Sequence, residues 1–288
     1  MDNVTMLRSY VPASFIPLFL PGLLVFVVAT VARWITFITI LGPLSRIASK
    51  KDKDQKKFRE AAWRAVLYAT ACGWAGSVLL FGDDYDIGFM NDSELFWKGW
   101  PGHEVTPGMA SIYQLYLGLY VHLLVFLFLD TKSSDFLALV AHHLITMSIV
   151  LGSWRVSFTR VGSFTMVLHD ISDVFLEIAK CFNYTQVAHP RLSIGADASF
   201  IVFAVTFFYL RLYIYPTRVV HSTMYQACVH VSCITPPTIG NCAFNVTWMF
   251  FNVLLIGLQG LQIFWGWKVL GVIATVIRGK PLEDPRDE

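Results

Sequence analysis

Residues 135–184 read DFLALVAHHLITMSIVLGSWRVSFTRVGSFTMVLHDISDVFLEIAKCFNY, two apolar runs parted by a short break at 153–157. The first run carries the adjacent pair His142 and His143, the second His169, Asp170 and Asp173. Ionisable groups are expensive in hydrocarbon and sit there with a partner or a function. So short a break makes the two runs antiparallel neighbours. The stretch reads as a membrane hairpin with its chemistry turned inward.

The rest of the chain agrees with a membrane setting. Of 288 residues, 55% are hydrophobic and 15% charged, where a soluble domain carries roughly 25% charge. Mean hydropathy is +0.56, and the apolar residues cluster in long runs. A soluble enzyme is excluded, and a net charge of +2 spread through the loops gives no reason to expect nucleic acid. The expected fold is all-α and polytopic, with about seven transmembrane helices near 15–41, 61–81, 108–129, 135–152, 158–180, 196–215 and 246–275. The first run exceeds a signal-peptide core and has only Arg8 as a basic flank, so it reads as a retained helix.

Charge sets an expected orientation. Arg46, Lys50, Lys51, Lys53, Lys56, Lys57 and Arg59 follow the first span, whereas Asp83, Asp84, Asp86, Asp92 and Glu94 follow the second. The basic segment 46–59 is expected to be a solvated cytoplasmic loop beside anionic headgroups, with the N-terminus lumenal and the C-terminus cytoplasmic. Sequons at Asn3 and Asn91 then face the glycosylating side, and the one at Asn183 does not. Cys228, Cys233 and Cys242 share one polar connection and match no zinc spacing. A disulfide among them is expected if that side is lumenal, with free thiols as the alternative. The tail 283–288 is acidic and expected to be solvated.

In this orientation His142 lies seven residues into the fourth span and Asp173 seven residues from the end of the fifth. Both fall about 10 Å from the cytoplasmic boundary at 1.5 Å per residue. His169, Asp170 and Asp173 share one side of their helix, continued by Glu177. His142 and His143 diverge by about 100°, so they divide their labour, with Thr146 within a turn of both. A histidine can accept an amine proton or attack an acyl carbonyl, and a carboxylate can fix its tautomer or hold an amine. The same groups also suit a metal, a proton path or purely structural hydrogen bonding. Di-iron membrane oxidases need more histidines than these spans offer, so no metal is expected. His122, alone in the third span, reads as a hydrogen-bonded structural group. No inverted repeat marks a transporter.

The same residues also form a known pattern. His142, His143 and Thr146, then Trp154, Arg160 and Gly162, then Leu168, His169, Asp170, Ser172, Asp173, Glu177, Lys180, Asn183 and Tyr184 resemble the Lag1 motif of ceramide synthases. These belong to the TRAM–Lag1–CLN8 (TLC) group of membrane proteins. Lys57, Phe58, Glu60, Trp63 and Arg64, the segment 97–101, and Leu258, Gln259, Phe264 and Trp265 extend the resemblance over roughly 55–270. It implies a TLC catalytic domain at 55–275, preceded at 1–54 by the first helix and basic loop and followed at 276–288 by a short tail. Six helices would form a bundle around an acyl cavity.

The activity implied is transfer of a fatty acyl group from acyl-CoA, a cosubstrate rather than a permanently bound cofactor, to the amine of a sphingoid base in the endoplasmic reticulum membrane. The family's essential residues fall on His142, His143, Asp170 and Asp173, with His169 beside them. Thr146, Arg160, Glu177 and Asn183 are candidate substrate contacts. Lys132, Lys180, Arg191 and Lys268 are candidates for CoA phosphates, chosen by side alone. Expected partners are the two substrates, membrane lipids, and a second copy or an accessory subunit. About twenty residues separate the first two spans, which leaves no room for a homeodomain-like insert. The alternatives are a TLC-domain lipid-handling protein, an acyltransferase with another acceptor, and a transporter.

Overall fold

A computed structural model describes residues 14–81, 92–100, 104–186, 189–227 and 246–278. Seven long helices run through them: α1 (Ile16–Ala48), α2 (Asp52–Phe81), α3 (Pro107–Leu129), α4 (Phe136–Arg155), α5 (Thr159–Gln186), α6 (Pro190–Gln226) and α7 (Val246–Ile277). Six are long and apolar enough to cross a bilayer. The seventh, α5, has 28 residues and carries the charged motif. At 1.5 Å per residue it is about 42 Å long, ample for a crossing. This is an all-α, multi-pass membrane protein. Asn3, Asn91, the three clustered cysteines and the tail lie outside the described residues.

Local sequence explains the helix limits. Thr106 caps α3 by accepting the Met109 N–H at 3.2 Å, and Pro107 stands in its first turn, where its missing donor does no harm. Between α4 and α5, Ser157 takes a positive φ of 58°. Only residues 156–158 separate the two helices, so the hairpin is tighter than the five-residue break suggested.

The basic segment is not the solvated loop that charge alone implied. α1 continues to Ala48, and α2 begins at Asp52. Asp52 and Asp54 occupy the first turn of α2, where they complement the helix dipole, and lysine is a good helix former. Lys57 and Glu60 are buried one turn further on. At the other helix ends, α6 runs past Pro216 by widening into π-helical turns from Phe208 to Val220, which accommodate the lost donor.

α3 is deeply enclosed, with Ile112, Tyr113, Tyr116 and His122 fully buried. It sits between α1 on one side and α4 and α5 on the other. α1 approaches it at Gly22 and Gly118, where a Cβ on Gly118 would stand 2.5 Å from the Gly22 carbonyl oxygen. Most of α1's remaining surface is apolar and exposed, as a lipid-facing helix requires. α2 packs along α5, α5 on α6, and α7 against α4 and the π-helical half of α6.

The segment 92–100 closes one end of the bundle. Trp97 Nε1 donates to Ser222 Oγ at 2.6 Å and Trp100 Nε1 to the Val156 carbonyl at 2.7 Å. The opposite, basic end carries the α1–α2, α3–α4 and α5–α6 links, and the cavities lie toward it.

Candidate active site

A cavity of about 160 Å³ lies between α2, α3, α4, α5, α6 and α7. His142 and His143 reach it from α4, Asp170, Asp173 and Glu177 from α5, and Arg211 from α6. Phe200, Phe203 and Phe207 of α6 with Val269 and Val272 of α7 form an apolar wall. Lys180, Asn183 and Lys268 line it toward the basic end.

The two histidines take different positions. Their rings are 5.6 Å apart at 70°, as neighbours diverging on one helix must be. His142 stands edge-on to Trp265, with centroids 5.5 Å apart, and 6.3 Å from the His169 ring. Its Nδ1 is buried without a hydrogen-bond partner among the described residues. An imidazole so held is costly at rest and available to a bound group. His143 lines this cavity and also a second one beside it.

The carboxylates are equally distinct. Asp170 is 4% exposed and accepts the Tyr120 hydroxyl at 3.3 Å. The Asp173 side chain is 20% exposed and pairs with Arg211 at 2.8 Å. The Arg211 guanidinium also donates to the His169 carbonyl at 2.5 Å, tying α6 to α5. Glu177 is held by Arg64 at 3.1 Å and Lys180 at 2.6 Å.

His169 is turned away from the cavity. Its Nδ1 must carry the proton, because the partner at 2.8 Å is the Thr165 carbonyl. Nε2 is then free to accept from the Gln262 amide of α7, and the Tyr215 ring lies edge-on at 5.1 Å. A position beside Asp170 in sequence points it at α6 and α7 instead.

The remaining expected site residues separate. Arg160 lies at the far end, donating to the carbonyls of Lys98 at 2.6 Å and Leu95 at 3.3 Å. Thr146 does not line the cavity, and its hydroxyl oxygen is buried with no partner among the described residues. Arg191 is exposed on the short turn that opens α6, outside both cavities. Lys132 lines the second cavity, with its ammonium 5.2 Å from the Phe136 ring. His122 accepts the Trp63 indole N–H at 3.0 Å and bonds Thr30 at 3.1 Å.

Several groups at the site were not singled out from sequence. Arg211, Arg33 and Gln262 are polar residues inside apolar runs, the same signal that marked the histidines. Tyr120 gave no such signal, since it fits a lipid-facing or core position, and Trp265 entered only through the resemblance of the last span, with no role attached. Trp265 also donates to Asp135 Oδ2 at 2.9 Å, fixing α7 against the start of α4. Asp130, just past α3, accepts from Arg33 at 2.5 Å. Burial pushes its carboxyl above the ordinary range, and Arg33 and Arg64 pull it back. No group of three metal-ligating side chains comes together among the described residues.

Comparison with known proteins matches this frame. Residues 57–271 match the TLC domain. The chain is 33% identical over 228 residues to ceramide synthase 4 of Bos taurus, covering 79% of this chain and 53% of that protein. It is 31% identical over 248 residues to ceramide synthase 1 LOH3 of Arabidopsis thaliana, covering 83% and 76%. With ceramide synthase LOH1 of the same plant it shares 29% over 298 residues, covering 97% and 91%. The chain spans about half the length of the animal relatives. On the domain match and these identities, the chain belongs to the TLC-domain family, in its ceramide synthase (Lag1) group.

Proposed function

We propose that this protein is an acyl-CoA-dependent N-acyltransferase that forms ceramide from a sphingoid long-chain base. The observation that carries this reading is His142: a buried imidazole whose Nδ1 has no partner, in a cavity shared with Asp170 and Asp173. Acyl transfer needs such a group, either to take the amine proton or to attack the thioester carbonyl. The names of the relatives support the same reading.

In this reading Asp170 receives the ammonium of the base and His142 acts as base or nucleophile. Asp173, carrying its Arg211 counter-charge, sets the field around the imidazole and stabilises the imidazolium that forms. The apolar wall of α6 and α7 takes acyl chain, and Lys180 and Lys268 meet CoA phosphates near the basic end. Asn183 and Glu177 line the passage between. Direct attack by the amine and passage through an acyl-imidazole use the same residues. The basic end lies on the cytoplasmic face of the endoplasmic reticulum membrane, where acyl-CoA arrives, and the N-terminus is lumenal.

The test is product analysis. Purified protein given acyl-CoA of several chain lengths with sphinganine or sphingosine yields the corresponding ceramide and free CoA by mass spectrometry. Absence of amide product with every pair refutes the assignment.

A further inference from the structure

Beside the reaction cavity lies a second one of about 130 Å³, walled by α1, α2, α3, α4 and α5 and by the α3–α4 link. The two share Tyr68, Leu123, Leu139, His143, Glu177 and Lys180, so His143 stands in the partition between them. Whereas the first cavity has a long apolar wall, this chamber sets charged and hydroxyl groups beside a smaller apolar side of Leu123, Phe126, Leu127 and Leu139. Its volume accommodates several water molecules, and its polar walls give them partners.

Three carboxylates face it in unequal circumstances. Glu177 has Arg64 and Lys180 within 3.1 Å, and Asp130 has Arg33 at 2.5 Å. Glu60 is 3% exposed, and its hydrogen bonds come from neutral donors, the Thr131 N–H at 3.2 Å and hydroxyl at 3.1 Å. Its ion pair among the described residues is with Lys56 at 3.9 Å. Lys57 and Lys132 complete the charged lining. Of the three, Glu60 is the carboxylate least neutralised by a close cation, hence the one best able to bind and give up a proton.

Amide formation has a proton to dispose of. The base arrives as an ammonium with three protons. The C–N bond forms and the C–S bond breaks; one proton stays on the amide nitrogen, one ends on the thiolate, and the third leaves the site. The opening of the reaction cavity is the passage that acyl-CoA itself occupies. We propose that the charged chamber is the exit for that third proton, passed from the reaction cavity through His143 and ordered water to Glu60 and then to bulk water at the basic end. This rests on the N-acyltransferase reading above. Glu60 touches no substrate in this scheme and acts as a relay.

The experiment uses the full-length protein in lipid nanodiscs, with ceramide formation followed in H2O and D2O. Glu60→Gln is expected to lower kcat several-fold with KM for acyl-CoA unchanged. The solvent isotope effect on kcat should rise, and added imidazole, a diffusible proton carrier, should restore the rate. Glu60→Asp keeps a carboxylate and should retain most activity. Leu127→Phe, which crowds the chamber from an apolar side, gives the same pattern without removing a charge and serves if Glu60→Gln does not fold. Wild-type kcat and isotope effect in both variants would overturn the proposal, as would a loss that imidazole does not restore. If the wild type forms no ceramide in this assay, the N-acyltransferase reading fails and the exit with it.

Discussion

Gly162 belongs to the motif, yet it lies far from the cavity, at the start of α5. A Cβ there would fall well inside van der Waals contact with the Tyr113 hydroxyl and 3.1 Å from Ser153 Oγ. Tyr113 is fully buried and bonds Ser153 at 2.8 Å, so the phenol has nowhere to go without breaking that bond. Three terms set the cost of Gly162→Ala. Overpacking contributes about 1–3 kcal/mol, loss of the hydrogen bond about 1 kcal/mol, and alanine's helix propensity returns about 1 kcal/mol. The balance is a destabilisation of about 1–3 kcal/mol. Tyr113→Phe removes the offending oxygen and leaves Ser153 its bond to the Val150 carbonyl at 3.1 Å. In that background the next contacts, at 3.1 Å, need only a few tenths of an ångström of relief, so Gly162→Ala becomes close to neutral. A double-mutant cycle by unfolding in mixed micelles should show a coupling of about 1–3 kcal/mol. Equal costs in both backgrounds, or an unaltered Gly162→Ala protein, would refute the packing argument.

Three further outcomes follow from the ion pairs and the α7 contact. Arg211→Met leaves Asp173 without its counter-charge and should cost about 3–5 kcal/mol, with Asp173→Asn in the same chain recovering stability but not activity; thermal unfolding and product assay separate the two. Arg33→Met should destabilise through Asp130, and Asp130→Asn should repair it, as measured by protease resistance in detergent. Gln262→Leu strips the donor from the His169 Nε2 and should cost about 1–3 kcal/mol, with nitrogen NMR showing the ring still protonated at Nδ1.

Run length places six of the helices, because lipid-facing helices need long apolar runs, whereas α5, with its charged motif, is placed by the short break that ties it to α4. The meeting of His142, Asp170 and Asp173 at one cavity was also legible, from the short hairpin and equal depths. What spacing could not supply was direction between helices. His169 shares a helix side with Asp173, yet its ring bonds Gln262 of α7, a partner over ninety residues away that no local pattern names. Asp173 is likewise paired with Arg211 of α6, a partner that spacing along α5 does not name. The basic segment misled for another reason. Lys50, Lys51, Lys53 and Lys56 are solvent-exposed as charge implied, but Lys57 and Glu60 are drawn inward to the chamber, where Thr131 of the α3–α4 link bonds Glu60 and the Tyr184 ring of α5 lies 5.9 Å from the Lys57 ammonium.

The central claim is that this cavity makes an amide bond with His142 at its centre. Wild type, His142→Ala and Asp173→Asn, each shown to be folded by cooperative thermal unfolding above the assay temperature, are compared for ceramide formation from acyl-CoA and sphinganine by mass spectrometry. The account predicts product from the wild type and a fall of at least roughly 100-fold in His142→Ala, with Asp173→Asn also strongly reduced. Wild-type rates in the folded His142→Ala protein would contradict it.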